Sequence, residues 1–360
     1  MGRLGKVWQV SFVALVWLAG CGRGHATPVD IEGPDDSEPS SSPVGACDKL
    51  DNPALERAVV QSFADGRYSG KQLLKLTELS VLGASSLRGI ECLPHLTKLW
   101  LSDGSLRDVS ALSALQELEV LTVTNHLLAS PESLPSLPKV WHLDLAQNRI
   151  TDLSTLPELP ALTNLYVSVN PLTSLSPLNA YPGLQVIWAY HAQLETLDGL
   201  SLPELSELHV DTNQLTTLGD LSQLPELQLL DVTHNQLADL QSVEALPELT
   251  QLNAAENPLD SLASPALLDK LTYLDVSSTR VSDLEPLAQH APLRYLGLNA
   301  TLVTSLSPIS AWAEGAGDCR AVDVNDLTLD EASTQLIADE FCANNWVVRP
   351  TCFQRCFDLR

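Results

Sequence analysis

The sequence predicts a solenoid of stacked coils, because apolar residues recur through most of it in a fixed order with a period of 22 residues. The order is Leu-x-x-Leu-x-Leu-x-x-Asn-x-Leu, and one clear copy runs from Val140 to Ile150. The copies start at Leu96, Leu118, Val140, Leu162, Leu184, Leu205, Leu227, Leu249, Leu271 and Leu293. Eight of those nine steps are 22 residues and the step to Leu205 is 21, with a degenerate first copy near Leu76 and a last one near Cys319. This spacing is the signature of the leucine-rich repeat.

Each copy predicts one short β-strand. The first, fourth and sixth positions are apolar and alternate with polar ones, as in a strand with one buried face. In the copy that starts at Val140, Leu143 and Leu145 are expected to point inward. The residues expected to point outward are His142, Asp144 and Ala146. Stacked copies place these strands in one curved parallel sheet on the concave side, where each coil buries its leucines against its neighbours.

Two further positions have structural roles. Asparagine at the ninth position suits a bend because its amide both donates and accepts hydrogen bonds. It occurs at Asn148, Asn170, Asn213, Asn235 and Asn257. Proline precedes several copies by two residues, at Pro94, Pro138, Pro160, Pro182, Pro203, Pro225 and Pro247. Because proline lacks an N–H, it belongs on the convex return side, which we expect to consist of extended or 3₁₀ segments.

Short helical caps are predicted at both ends of the solenoid. Asn52 is the expected N-cap and Pro53 the first residue of the N-terminal helix. Its helically spaced residues are Leu55, Ala58, Val59, Ser62 and Phe63. At the other end, residues 328–331 match a capping box that starts at Thr328. The buried face expected for that helix is Leu329, Ala332, Leu336, Ile337 and Phe341.

The beginning of the chain reads as a targeting segment. Arg3 and Lys6 precede a short apolar stretch, and residues 18–21 read Leu-Ala-Gly-Cys. This run resembles the bacterial lipobox, in which the cysteine, here Cys21, is lipidated and becomes the mature N-terminus. The alternative is an ordinary secretory signal with a spare thiol. The residue after Cys21 is Gly22, not Asp, which favours an outer-membrane destination and leaves the side of that membrane open.

Composition limits the partners and the compartment. The formal net charge is -25, so nucleic acid is a poor partner, whereas cationic and neutral partners remain open. Apart from Cys21, six cysteines lie near the ends of the solenoid, and an even number in an exported protein indicates disulfides. Proximity suggests the pairs Cys47 with Cys92, Cys319 with Cys342, and Cys352 with Cys356, although six cysteines allow fifteen connectivities.

The chain is therefore divided into five parts. They are a lipoprotein signal peptide (1–20), the lipidated Cys21 with a disordered linker (21–46), an N-terminal helical cap with the degenerate first repeat (47–92), the leucine-rich repeats (93–318), and the last repeat with a disulfide-bonded C-terminal cap (319–360). The linker is rich in Pro, Ser, Asp, Glu and Gly, so it cannot bury enough apolar surface to fold.

Residues 47–345 resemble bacterial leucine-rich-repeat proteins of the internalin-like class with 22-residue repeats. The stretch from Asp51 to Glu56 and the run from Leu87 to Ile90 carry the resemblance at the start. The resemblance implies a curved solenoid that binds other proteins on its concave sheet. The asparagine series is broken here, since the ninth position holds Gly104, His126, Ala192, Thr279 or Thr301 in some copies.

Outward positions of the strands, which are the third, fifth and seventh of each copy, form the candidate binding surface. The residues we assign to partner binding are Trp100, His142, Asp144, Tyr166, Trp188, Tyr190, His209, Asp211, Asp231 and Tyr273. Glu207, Asp275 and Tyr295 share this face. Tyr166, Trp188 and His209 occupy the fifth position of successive copies, so they should be neighbours, with Asp231 next in the column. Exposed aromatic residues beside acidic groups are typical of a recognition surface, but aromatics that only stiffen the sheet would give the same pattern.

Chemistry beyond binding has little support in the sequence. His209, Asp211, Asp231 and His234 could converge on adjacent strands as metal ligands, yet no short ligand motif supports a site. No nucleophile elbow, zinc-protease motif or phosphate loop occurs. We therefore expect no catalytic residues, no metal and no cofactor.

The sequence thus predicts a monomeric, non-enzymatic lipoprotein of the bacterial envelope that binds a protein or peptide partner on its sheet and meets the membrane only through its lipid. Glycan binding through the aromatic residues and a purely structural spacer of the envelope are the alternatives.

Overall fold

One sheet of parallel strands, paired in the order of the sequence, runs through the computed structural model. The described residues are 47, 50, 52–64, 66–262, 270–288, 290, 293–314, 320–341 and 346–349, all within the unit Pro43–Arg360. Their strands are β1 (Glu78–Leu82), β2 (Lys98–Ser102), β3 (Val120–Thr124), β4 (His142–Asp144), β5 (Asn164–Tyr166), β6 (Val186–Trp188), β7 (Glu207–His209), β8 (Leu229–Asp231), β9 (Gln251–Asn253), β10 (Tyr273–Asp275), β11 (Tyr295–Gly297), β12 (Arg320–Asp323) and β13 (Trp346–Arg349). The predicted solenoid is confirmed.

The return segments contain turns and short helices. The 3₁₀ helices are Ile90–Cys92, Ser110–Ala114, Pro131–Ser133, Ser176–Ala180, Gln241–Ala245, Glu285–Leu287 and Ser307–Glu314. The α-helices are α1 (Pro53–Gln61), α2 (Gly70–Leu73) and α3 (Glu331–Leu336), which runs into a π-helical turn at Ile337–Phe341. Among the described residues, no helix has both the length and the apolar character needed to cross a bilayer.

A continuous leucine core lies behind the sheet. The predicted inward residues Leu143 and Leu145 are at most 1% exposed, and the same positions are buried from coil to coil. Burying one such side chain contributes about 1.5–3 kcal/mol. The stack therefore fixes which residues face outward, since a shift of one residue would expose every leucine.

The ninth-position asparagines bond to the backbone of the turn, as predicted, and they also connect adjacent coils, which was not predicted. Asn170 is 1% exposed, and its Nδ2 donates to the Val167 carbonyl of its own coil at 3.0 Å and to the Leu145 carbonyl of the preceding coil at 2.9 Å. Its Oδ1 accepts from the Ile150 N–H at 2.9 Å. Where His126 replaces asparagine, its Nδ1 accepts from the Leu106 N–H at 3.2 Å, so another acceptor takes over the inter-coil bond.

The eighth position of each repeat has a left-handed backbone. Its φ lies between 53° and 61° in every described copy, from Asp103 to Asp326. This conformation turns the chain out of the strand and is disfavoured for residues with a Cβ, most of all for β-branched ones. The β-branched residues of the series are Val169, at φ 56°, and Thr212, at φ 54°, so the backbone is strained at both.

The N-terminal cap follows the prediction. The Asn52 side chain accepts from the Ala54 and Leu55 N–H groups at the start of α1. Cys47 and Cys92 form a disulfide with a Cα–Cα distance of 5.6 Å. Predictions for Cys21, Cys319, Cys342, Cys352 and Cys356, for residues 1–46 and for Asp51 lie outside the described residues.

The C-terminal cap corrects the sequence-based prediction in two ways. The helix N-cap is Asp330, whose carboxylate accepts from the Ser333 N–H at 2.7 Å, so Thr328 does not begin the helix. Ala332 is exposed and Ser333 is buried instead, because the Ser333 hydroxyl accepts from the Leu306 N–H at 2.7 Å. Ile337 and Phe341 are buried as predicted, while strand β13 was not predicted.

Candidate functional site

The pairing of strands aligns the fifth-position residues in one column across the outer face of the sheet, which is the face directed away from the leucine core. Successive partners in β2 to β8 are Trp100, Thr122, Asp144, Tyr166, Trp188, His209 and Asp231. Adjacent parallel strands lie about 4.8 Å apart, so bulky side chains in such a column must touch. The column predicted for Tyr166, Trp188, His209 and Asp231 is present.

Five rings in the middle of this face form a continuous series, which we call the aromatic row: Trp141, His142, Tyr166, Trp188 and His209. The ring centroids follow one another at 5.6, 4.9, 5.5 and 4.5 Å. The contact between Trp141 and His142 is edge-on, an arrangement that aromatic pairs prefer, and the other three contacts are tilted. Tyr190 flanks the row, with its ring 6.4 Å from that of Trp188.

All ten residues assigned to partner binding are partly exposed on the outer face, but they do not form one cluster. Trp100 is separated from the row by Thr122 and Asp144 in the column. At the other end, Tyr273 stacks on Tyr295 with the rings 4.5 Å apart and 13° from parallel. The predicted surface is thus an aromatic row with acidic residues beside it and a separate tyrosine pair.

Trp141 belongs to the row although it was not assigned to the surface. It occupies the second position of its copy, outside the third, fifth and seventh positions used for the prediction, and it is 42% exposed. Its ring meets that of His142 edge-on at 5.6 Å. A signal existed in the sequence, because the second position holds Thr, Ser, Gln, Glu or Arg in the other regular copies.

Burial makes the middle of this face less charged than its composition suggests. Burial raises the pKa of Asp144 to about 6, although the Ala146 N–H donates to its carboxylate. Burial also lowers the pKa values of His142 and His209, which favours neutral imidazoles at pH 7. The two imidazoles therefore contribute to the row mainly through their ring contacts with Tyr166 and Trp188.

An acidic group lies at the end of the row. His209, Asp211 and Asp231 each offer a ligand atom, and these atoms lie within 4.8 Å of one another. Burial, followed by the charge of Asp231, raises the pKa of Asp211 to about 6. His234, which the sequence grouped with them, lies at the eighth position and pairs with Glu256 at 2.9 Å, outside this group.

The aromatic row lines neither of two depressions in the part of the chain that the structure describes. These depressions have volumes of about 430 and 420 Å³, one around Arg88 and Arg107 and one around Pro160 and Tyr181. The outer face of the sheet offers aromatic area, carboxylate acceptors and a rigid backbone, which are the properties of a binding surface.

Comparison with known proteins identifies the class. The profile of the family described as Leucine Rich repeats (2 copies) matches residues 142–180. No curated protein matches the sequence. The sequence repeats, the sheet and this match together define a leucine-rich-repeat solenoid.

Several solved structures share this solenoid fold. An internalin, InlF, from Listeria monocytogenes is 23% identical and superposes with a TM-score of 0.70 over 82% of this chain and 88% of that one. YopM from Yersinia enterocolitica is 30% identical with a TM-score of 0.50, over 65% of this chain and 48% of that one, so the chain spans about half of YopM. The plant peptide hormone receptor RGFR1, in a complex with RGF2, is 18% identical with a TM-score of 0.54, over 72% of this chain and 46% of that one.

Proposed function

We propose that this protein is a non-enzymatic binding protein that holds a protein or peptide partner on the outer face of its sheet. The aromatic row is the observation that carries the proposal. Tryptophan and tyrosine supply large contact areas at a small cost in side-chain entropy, and they dominate the energetics of many interfaces. Here they stand on strands whose positions are fixed by a leucine core, so little ordering is needed when a partner binds.

The charges around the row favour a partner segment that carries both apolar and cationic side chains. Asp144 lies in the column beside Tyr166, and Asp231 lies beside His209. The chain as a whole has a net charge of -25. A lysine or arginine from a partner can rest on a ring of the row and reach a carboxylate, which combines a cation–π contact with an ion pair.

The comparisons support binding as the general role. RGFR1, which has the same type of fold, is a peptide hormone receptor described in a complex with RGF2. The likeness to RGFR1 and InlF concerns the fold alone. The choice of the aromatic row as the binding site therefore rests on the residues of this chain.

The proposal includes attachment to the bacterial envelope by lipid on Cys21, at the outer membrane. The sequence Leu18-Ala19-Gly20-Cys21 supports it, together with the polar linker at 22–46 that would hold the solenoid away from the membrane. Cys21→Ser should abolish metabolic labelling with radioactive palmitate in a bacterial host and move the protein out of the membrane fraction. Equal labelling of Cys21→Ser and the parent chain would refute lipid attachment at this residue.

Glycan binding is the second candidate, because Tyr166 and Trp188 present adjacent aromatic rings, 5.5 Å apart, on which sugar rings could stack. A structural spacer, whose rings only pack on one another, is the third. Photo-crosslinking separates the three. Benzoylphenylalanine is placed at Tyr166 in one variant and at Leu302, which is 59% exposed and lies outside the sheet, in a matched control.

A protein or peptide partner should give a discrete adduct from position 166 that protease digestion of the partner removes, and none from position 302. An adduct removed by glycosidases and insensitive to protease would favour glycan binding. No adduct at position 166, or equal adducts at both positions, would contradict binding on the aromatic row.

A further inference from the structure

The group at the end of the aromatic row has the composition of a metal site. His209 ends β7, Asp231 ends β8, and the two are direct partners in the sheet. Asp211 lies two residues beyond His209, so its side chain is on the same face. One ring nitrogen and one oxygen from each carboxylate lie within 4.8 Å of one another.

The geometry points to a binding site for a divalent transition-metal ion, of which Zn²⁺ is the best match, formed by His209, Asp211 and Asp231. Zn²⁺ takes imidazole nitrogen and carboxylate oxygen ligands at about 2.0–2.2 Å, so tetrahedral ligand atoms lie about 3.4 Å apart. Small rotations of the two aspartate side chains would bring the ligand atoms from the present separation to that value. Three protein ligands leave one coordination position for water or for a partner group.

The surroundings support a bound cation. Within the described ranges, no ion pair joins the carboxylate of Asp211 or of Asp231 to a lysine or an arginine. The two carboxylates lie close together, so a divalent ion between them would offset their negative charges.

Neighbouring contacts hold two of the ligands in position. The Thr233 N–H and hydroxyl both donate to Asp231 Oδ1, at 3.0 and 2.7 Å, which leaves Oδ2 available on the other side. The Asn253 amide approaches Oδ2 at 3.4 Å. The Trp188 ring packs on His209 with the centroids 4.5 Å apart and limits the rotation of the imidazole. Hydrogen bonds and packing contacts of this kind orient metal ligands in known sites.

The test uses the whole protein, dialysed against a chelator, and titration calorimetry with zinc chloride. The parent chain should bind one equivalent of Zn²⁺. His209→Gln and Asp231→Asn should each weaken binding by a factor of ten or more, as expected when one of three ligands is lost. His234→Gln is the matched control, because that imidazole is nearby and pairs with Glu256 outside the site.

A spectroscopic readout distinguishes loss of the metal site from loss of the fold. Ni²⁺ should quench the fluorescence of Trp188, which packs on the ligand His209, and Trp188→Phe should remove most of this quenching while Zn²⁺ still binds. Circular dichroism melting should show that His209→Gln and Asp231→Asn remain folded. Unchanged Zn²⁺ affinity in both variants, or a loss in His234→Gln as large as theirs, would overturn the proposal.

Discussion

The rings of Trp188 and His209 lie 4.5 Å apart although the repeat that joins them is one residue shorter than the others. The two residues are direct strand partners, so the missing residue does not disturb the sheet. It is absorbed on the return side, where the buried residues Leu200 and Leu202 are two apart, whereas Leu178 and Tyr181 in the preceding coil are three apart. A change in the length of this return segment therefore leaves the alignment of residues on the outer face unaltered.

Replacing Asn170 by alanine should destabilise the protein by about 2–4 kcal/mol, because the buried Ile150 N–H and the Val167 carbonyl lose their hydrogen bonds to the Asn170 side chain. Urea unfolding followed by circular dichroism measures the change. Asn164→Ala is the control, since that side chain is partly exposed on β5, and its effect should stay within about 0.5 kcal/mol. Equal losses in the two variants would show that the asparagine series does not bind the coils together.

Val169→Asn should stabilise the protein by about 0.5–1 kcal/mol, because asparagine tolerates a left-handed backbone better than a β-branched residue does. The midpoint of thermal unfolding reports the gain. Val186→Asn serves as the control, since Val186 lies in β6, where a β-branched residue is favoured, and this substitution should lower the midpoint. A lower midpoint for Val169→Asn would contradict the assignment of strain to the eighth position.

Stability should depend on pH through Asp144. Its pKa is about 6 in the folded chain, above the ordinary value of 3.8, so the folded state binds more protons between these values. The contribution of this group to the free energy of unfolding is therefore largest below pH 4 and decreases as the pH rises toward 6. Asp144→Asn should remove this fall and raise stability at pH 7 by about 1–2 kcal/mol.

Asp152→Asn is the comparison variant, because the contribution of Asp152 to stability changes with pH in the opposite direction. Hydrogen bonds from Ser154 lower the pKa of Asp152, so its contribution is present above the ordinary pKa and lost as the pH falls. Urea unfolding at pH 4.5 and pH 7 measures both variants. An unchanged pH profile in Asp144→Asn would contradict a raised pKa of Asp144 as the cause of the fall in stability.

Removing the Cys47–Cys92 disulfide should cost about 4 kcal/mol on the chain-entropy model, since the bridge joins residues 45 apart. Hydrogen exchange should show that the loss begins at α1, which would then be held by packing and by the hydrogen bond from the Asn52 amide to the Ser86 carbonyl. The variant carrying Cys47→Ser and Cys92→Ser should match the reduced parent chain in this region. Full protection of α1 in that variant would contradict a role for the disulfide in holding the cap.

Much of the fold and of the site follows from the sequence because the constant period of the repeat determines the register in which the strands pair. Once Leu143 and Leu145 are assigned to the core, the outward direction of Asp144 is determined, and the constant period brings Tyr166, Trp188 and His209 into one column. The pairing of Cys47 with Cys92 was also the pairing suggested by their proximity.

The parts that could not be predicted depend on contacts outside the period. Trp141 precedes its strand, where the alternation of inward and outward residues does not yet apply. Asp330 and Thr328 both suit an N-cap, and the buried bond between Ser333 and Leu306 decides between them. The outer face is divided into an aromatic row and a tyrosine pair because aromatic residues occupy equivalent positions in consecutive copies at only some places along the sheet.

The aromatic row is proposed to be the surface that binds the partner. The affinity for a partner identified by crosslinking and then purified tests this proposal most directly. Calorimetry should compare the parent chain, the variant with Tyr166→Ala and Trp188→Ala, and the control Leu302→Ala. Hot-spot aromatic residues contribute about 2 kcal/mol or more each, so the double variant should bind at least about 100-fold more weakly, while Leu302→Ala binds as the parent does. An unchanged affinity in a folded double variant would contradict the account.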